Sequence, residues 1–356
     1  MKRMQKILSL LLTFAFILPL AACGQKATAP DNTAPDSPAS NTEEKSDWPE
    51  RTITVVVPFD AGGATDLIAR AMQPKMEEYL GVDMAVQNMS GGSTAVGNQF
   101  LLDSDPDGYT VIEQATEIAN IWSMNQSDIT YRDFSYVGMA VAVPGVFVVK
   151  PDSPYQTLED LIEDIKEKKI TVGTCGGGDA WTLTYALFVD SVGGVSPEYI
   201  SEGSGKNAAI AAMKGEVDVG SCGIPEVVEL LQGGELRALG CLTAEDVEIE
   251  GYGKIPSIVK NCPELAEFMP YGGFIGMAVS KEVPDDITAN LREAFDFAWN
   301  DAEFQEYMKT SNFVPLGYIG DEAEDYVKMR ESLNASLLYD LGIAERNPAD
   351  IGIEHY

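Results

Sequence analysis

The chain has 356 residues and a formal net charge of −32, with 24 Lys and Arg set against 56 Asp and Glu. Phosphate would be repelled by such a surface and no basic run offsets the repulsion, so nucleic acid is excluded as a partner and the surplus charge serves solubility. One histidine, His355 beside the C-terminus, leaves Ser-His and Cys-His chemistry without a base, and five cysteines without a C-x-x-C pair argue against a structural zinc site, so neither cofactor nor metal is expected.

Residues 1–22 carry Lys2, Arg3 and Lys6 ahead of an apolar stretch over 7–20, which closes on Leu20-Ala21-Ala22-Cys23. That order is a secretory signal, and a cysteine after small residues gives it the form of a lipoprotein signal, with Cys23 as the acylated first residue of the mature chain. Residues 23–47, rich in Ala, Pro, Thr, Ser and Asn, bury too little apolar surface to offset ordering entropy and read as a flexible tether. No other stretch reaches the roughly 18 to 20 apolar residues of a spanning helix. The expectation is an extracytoplasmic protein held at the cell membrane by lipid. The roughly 300 residues that remain exceed a usual single core and suggest two domains.

From residue 53 onward, strand-like and helical runs alternate. A strand over 53–59 precedes a helix over 66–80, in which Ile68, Ala71, Met72, Met76, Tyr79 and Leu80 recur at helical spacing and Gly81 sits at the C-cap. A strand over 84–87, a helix over 94–102 and a strand over 109–112 follow. Residues 137–149 form a longer, near-continuously apolar stretch, as a sheet covered on both faces requires. Pro151 and Pro154 interrupt it. Thr157 then caps a helix over 158–168, and a strand over 170–173 runs into Thr174-Cys175-Gly176-Gly177-Gly178-Asp179 and a helix over 180–192, repeating the opening architecture. The loop 201–205, a helix over 207–214, a strand over 217–219 and a helix over 225–231 come next. Residues 272–279 read as a strand returning to the first domain, and 285–341 as mainly helical. The class is α/β, with a first domain over 48–143, a second over 144–270, and 271–356 rejoining the first and supplying the C-terminal helices. Cys175, Cys222, Cys241 and Cys262 read as free thiols.

The junction over 55–70 is the most informative stretch, because an apolar strand meets Gly62-Gly63 and a helix begins at once. Amides in a first helical turn lack intrahelical partners and sit at the positive end of the dipole, so such a turn can hold an anionic group. The other reading is that the glycines only permit a tight turn.

Pro58-Phe59-x-x-Gly62-Gly63-x-x-Asp66-x-x-Ala69-Arg70 resembles the start of the substrate-binding receptors of tripartite tricarboxylate transporters, the Bug family. Asn88 with Gly91 and Gly97, then Pro106-Asp107-Gly108-Tyr109-Thr110, then Gly234-Glu235-Leu236-Arg237-Ala238-Leu239 match in the family's order, so that the resemblance covers 48–342. It implies a bilobed periplasmic-binding-protein-like fold of type II, two α/β domains with a ligand cleft between them at the carboxyl ends of strands. On one side of the cleft it implies Phe59, with the amides of Gly62, Gly63, Ala64 and Thr65 and the Thr65 hydroxyl donating to a ligand carboxylate, and Asp66 capping the helix, fixing the loop or touching a donor group on the ligand. Thr116 and Glu117 follow the third strand, and Thr174, Cys175, Gly176, Gly177, Gly178 and Asp179 face them with Trp181 and Glu202. Relatives usually carry Gly-Ser-Ser-Gly-x-Gly-Ser at 173–179; Gly173, Thr174, Gly176 and Gly178 match, whereas Cys175 and Asp179 depart. Cys175 is either a small buried residue or a contact, and Trp181 either core or an aromatic wall.

Where relatives often carry Tyr-Lys-Gly-Ser-Gly, this chain has Ser201-Glu202-Gly203-Ser204-Gly205, losing a lysine and gaining a carboxylate. With Asp179, Glu113 and Glu117 the cleft is then acidic, unless these groups are solvated. Two or more carboxylates lining it would repel a di- or tricarboxylate and favour an amino or amide group. The expected function is therefore a lipid-anchored, monomeric receptor that closes on a small organic acid and delivers it to the membrane subunits of a tripartite tricarboxylate transporter. A sensor presenting its ligand to a signalling partner, and an extracytoplasmic hydrolase using Cys175 or a carboxylate pair, are the alternatives.

Overall fold

In the computed structural model, which describes residues 48–355, the chain opens as a β-α-β-α-β run. The expected leader, Cys23 and tether lie outside the described residues. Strand β1 (Ile53–Val57), all β-branched, lies between β2 (Met84–Asn88) and β3 (Thr110–Ala115), parallel to both. Helix α1 (Ala64–Leu80) packs Ile68, Met72, Met76 and Leu80 onto that sheet and ends where Gly81, at φ 73°, turns its amide back onto the Glu77 carbonyl. Helix α2 (Ala95–Asp103) covers the opposite face beside Val56 and Ile112.

The apolar stretch expected at 137–149 is a 16-residue strand, β4 (Phe134–Val149), and it organises the whole molecule. Its first part, from Phe134 to Pro144, pairs antiparallel with β11 (Gly272–Ser280), which in turn pairs with β3. Its last part, from Gly145 to Val149, pairs with β7 (Val219–Gly223) and β8 (Arg237–Cys241). Each lobe thus has its own sheet and β4 belongs to both. In the second lobe β5 (Thr171–Thr174) lies parallel between β7 and β6 (Glu198–Ser201). Helices α3 (Leu158–Ile165), α4 (Ala180–Ser191), α5 (Gly205–Lys214) and α6 (Ile224–Gln232) accompany these strands, and β9 (Val247–Ile249) with β10 (Gly253–Ile255) forms a hairpin.

The two crossings between lobes run side by side. Gly272 lies opposite Pro144, and the Gly145 amide donates to the Tyr271 carbonyl at 3.0 Å. Pro144 has no N–H for the ladder, and Gly272 adopts φ 149° where a Cβ would collide with the Val143 carbonyl, so this is where β4 changes sheet. The expected boundary at 143/144 falls inside β4, and that at 270/271 immediately precedes β11.

Three sequence expectations need correction. The strand expected over 217–219 lies at 219–223. Strands β6 and β8 stand where no element is expected from sequence, except that Ser201, the first residue of the expected loop 201–205, ends β6. The region 285–341 holds helices α7 (Asp285–Trp299), α8 (Ala302–Thr310) and α9 (Asp321–Asp340), but also a strand, β12 (Val314–Ile319). Pro315 and Gly317 argue locally against a strand; β12 accommodates them by pairing with β4 alone, around a break in register between Pro315 and Tyr318.

Candidate functional site

At the β1 to α1 junction Gly62 takes φ 85° and Gly63 is the N-cap, with no side chain capping it. Asp66 folds back and accepts the Gly62 amide at 2.9 Å, while Arg70 Nε and Asn88 Nδ2 both donate to its Oδ1 at 3.0 Å. Burial pushes the Asp66 carboxyl up, but the hydrogen bonds from Arg70, Gly62 and Asn88 outweigh burial and hold it below the ordinary value. Asn88 Nδ2 also donates to the Phe59 carbonyl at 3.0 Å, tying β2 to the loop. Asp66 therefore fixes the turn, and Gly62 is not available to a guest.

The β5 to α4 junction is built on the same plan with different chemistry. Asp179 is the N-cap of α4 and accepts from Trp181 N at 2.6 Å, Thr182 N at 3.1 Å and Gly176 N at 2.6 Å. The remaining amide of that turn, Ala180 N, donates at 3.1 Å to Glu117 Oε1, which belongs to the first lobe. Gly178, at φ 74°, accepts from Asn120 Nδ2 at 3.0 Å, and Gln126 Nε2 donates to the Gly177 carbonyl at 2.6 Å, so the glycine loop is held by residues of the opposite lobe.

Between the junctions lies a narrow pocket of about 30 Å³. It draws Phe59, Gly63, Ala64 and Thr65 from the first junction, Thr116 and Glu117 from the end of β3, Cys175, Ala180 and Trp181 from the second, and Gly273, Phe274 and Ile275 from β11. Ser204, Gly205, Val143 and Glu226 complete most of the rest. An adjoining hollow of about 360 Å³ shares Phe59 and Cys175 and adds Gly176, Gly177 and Asp179. Of the residues singled out from sequence, Gly62, Asp66, Thr174, Gly178 and Glu202 line neither space. Thr174 is turned toward Thr182 and the Gly176 carbonyl, and Glu202 is held by its backbone, its amide on the Thr174 carbonyl at 2.8 Å and its carbonyl receiving Asn207 Nδ2 at 3.0 Å. Glu113 is buried on β3 with Oε1 unpartnered and does not line the pocket either. Trp181 is both things at once, buried in the core and a wall of the pocket.

Sequence reasoning missed Glu226. Gly223 N donates to its Oε2 at 2.7 Å, within its own lobe, and Ala64 N donates to its Oε1 at 3.2 Å from the other lobe. The expected set of open amides from Gly62 through Thr65 is corrected accordingly, since Gly62 is taken by Asp66 and Ala64 by Glu226. Burial pushes Glu226 up to about 7 against the pull of its amide donors; burial and the neighbouring Asp179 charge push Glu117 to about 7 as well. Asp179 is raised by burial, less its amide bonds. Burial, then the charges of Asp179, Glu226 and Glu117, keep the Cys175 thiol protonated, so it is no thiolate nucleophile. No Lys or Arg lines the pocket, and among the described residues no group of three His, Cys, Asp or Glu is placed to hold a metal ion. No helix among them is long and apolar enough to cross a membrane.

The family described as Tripartite tricarboxylate transporter family receptor matches residues 68–334. Protein BugT of Bordetella pertussis is 30% identical over 205 residues, 56% of this chain and 62% of BugT. MatC of Rhodopseudomonas palustris, solved with bound malate, is 21% identical with a TM-score of 0.75, covering 82% of this chain and 100% of MatC. A second R. palustris protein, solved with adipate, is 23% identical with a TM-score of 0.73 over 84% of this chain and 99% of its own. Both share the bilobed fold.

Proposed function

The chain belongs to the tripartite tricarboxylate transporter receptor family, a family of solute-binding receptors rather than enzymes, and from that premise we propose that it captures a small organic acid between its lobes and hands it to the membrane subunits of such a transporter. The carrying observation is the pocket itself, walled by both strand-to-helix junctions and roofed by β11. Malate and adipate sit in two structural relatives, which supports organic acids as the class. Within that class Glu117 and Glu226 on the wall, with no cation opposite, favour a guest with one carboxylate and a donor nitrogen over a di- or tricarboxylate. The receptor acts as a monomer outside the cytoplasm, anchored through lipid on Cys23, with the paired crossings at 143–145 and 271–273 as its hinge.

A thermal-shift screen of organic acids and amino acids tests this. A guest at about 100 times its dissociation constant adds roughly 2.7 kcal/mol of stability, an easily seen shift. Monocarboxylates bearing an amine or amide are expected to lead. Citrate binding far more tightly than any of them in titration calorimetry would remove the proposed guest, and a screen without any hit would remove the receptor role.

A further inference from the structure

Helices α1, α5 and α6 begin at one point, and a side chain already occupies it. Glu226 receives the Ala64 amide of α1 at 3.2 Å and the Gly223 amide ahead of α6 at 2.7 Å, and the Lys206 amide in the first turn of α5 donates to it as well. Gly205 makes the space, and Gly63 borders it. A Cβ on Gly63 would stand 3.5 Å from Oε1, and one on Gly205 would collide with the carboxylate. Three helix N-termini aimed at one spot form an anion seat, since each adds unpaired amides and the positive end of a dipole. The seat opens onto the pocket, because Gly63, Ala64, Gly205 and Glu226 all line it.

We propose that Glu226 is a resident carboxylate filling the anion seat of the interlobe pocket, so that a guest meets an acceptor there and must present a hydrogen-bond donor, an ammonium or amide N–H, at that end. The inference rests on the receptor reading above and names what sets its specificity. The opposite lobe repeats the device, with Glu117 reaching across to the Ala180 amide, so a second guest carboxylate finds the α4 turn occupied too. Neither carboxylate has a cationic side chain beside it on the pocket wall. A guest ammonium would supply the missing countercharge, whereas a guest carboxylate would have to displace a tethered one.

Two arms test this on the full chain. In the first, E226A empties the seat, and 50 mM acetate should raise its melting temperature by several degrees while leaving wild type, and wild type or E226A in matched chloride, within about one degree. Acetate shifting wild type as much as E226A, or shifting neither, overturns the proposal. E226Q, which keeps the shape and an acceptor oxygen, serves if E226A does not fold; it should show no acetate response, and an acetate response equal to that of an emptied seat counts against the proposal. In the second arm, 4-aminobutyrate and succinate differ by an ammonium in place of a carboxylate. Wild type should prefer 4-aminobutyrate, and the ratio of the two affinities should move at least tenfold toward succinate in E226A. A preference of wild type for succinate, unchanged in the variant, overturns the proposal. If no organic acid or amine binds wild type the receptor role fails, and the acetate arm still decides whether Glu226 fills the seat.

Discussion

The buried carboxyls make the stability of the protein depend on pH in a direction opposite to that of most salt-bridged acids, and Glu117 gives the cleanest measure. Its carboxyl is raised from 4.5 to about 7 by burial and by Asp179. A raised acid binds its proton more tightly in the fold, so its favourable contribution is complete below the unfolded value of 4.5 and is lost as pH climbs through about 7. The displacement corresponds to roughly 3 kcal/mol if Glu117 titrates alone. In E117Q the amide oxygen still accepts the Ala180 N–H, while the titration is gone. Urea unfolding of both proteins at pH 5 and pH 8 is the assay. Wild type should lose up to roughly 2.5 kcal/mol more than E117Q between the two conditions, and comparing differences cancels whatever the substitution itself does to packing. E226Q should act in the same direction. Because Glu117 and Glu226 repel each other, the double variant should recover less than the sum of the two. Identical losses in wild type and E117Q would show that Glu117 is ionised throughout and refute the account of its burial.

Three further outcomes follow from the junctions and the crossing. Gly178→Ala places a Cβ at φ 74° and drives it into Met124, so the urea midpoint should fall by the equivalent of about 1 to 3 kcal/mol, and Met124→Ala should restore only the steric part. Asp179→Ala strips the cap from α4 and leaves the amides of Gly176, Trp181 and Thr182 without their acceptor, which should cost about 2 kcal/mol or more in denaturant unfolding; an unchanged midpoint would deny the cap its role. Arg330, buried on α9, donates to the Gly272 carbonyl at 2.7 Å, so Arg330→Met should cost about 1 to 3 kcal/mol and speed hydrogen exchange of the amides around 271–274 relative to the rest of β11.

What could be read from sequence was whatever chemistry is local. Gly62-Gly63 before an amphipathic stripe fixes a turn and a helix start, and the run 137–149 is too continuously apolar to be anything but interior strand. Asp179 also carried its role in plain view, as an Asp directly ahead of a helix, although the family pattern drew it toward the guest. Pro315 and Gly317 misled, because a strand pairing on one side only tolerates both. Glu226 was half legible. Gly223-x-x-Glu226 with Pro225 between reads as a helix start whose acid turns back on its own cap, and it does so. What no local pattern contains is the Ala64 amide, 162 positions earlier in the chain, that the same carboxylate also receives once the lobes come together. The same holds for Glu117 and Ala180, 63 positions apart. Residues that answer to one lobe are readable, and those that answer to both depend on closure.

The two cross-lobe carboxylates also tie affinity to pH. Glu226 on Ala64 and Glu117 on Ala180 join the lobes directly, protein group to protein group, so part of the energy of closure resides in the protein. A guest with equal affinity for open and closed arrangements changes nothing, and only contacts to both lobes in the closed one add to it. An ammonium placed between the two carboxylates makes such contacts, but only when they are ionised. Below about 7 each holds a proton that binding must expel. Affinity for 4-aminobutyrate should therefore rise as pH rises from 6 to 8, by up to about tenfold per carboxyl for each pH unit below 7, and then level off. The empty protein loses stability over that same interval, so guest and apoprotein respond to pH with opposite signs. Calorimetry at pH 6, 7 and 8 measures the first and urea unfolding the second. An affinity that falls across the range would mean that the guest offers its carboxylate, not its ammonium, to the pair.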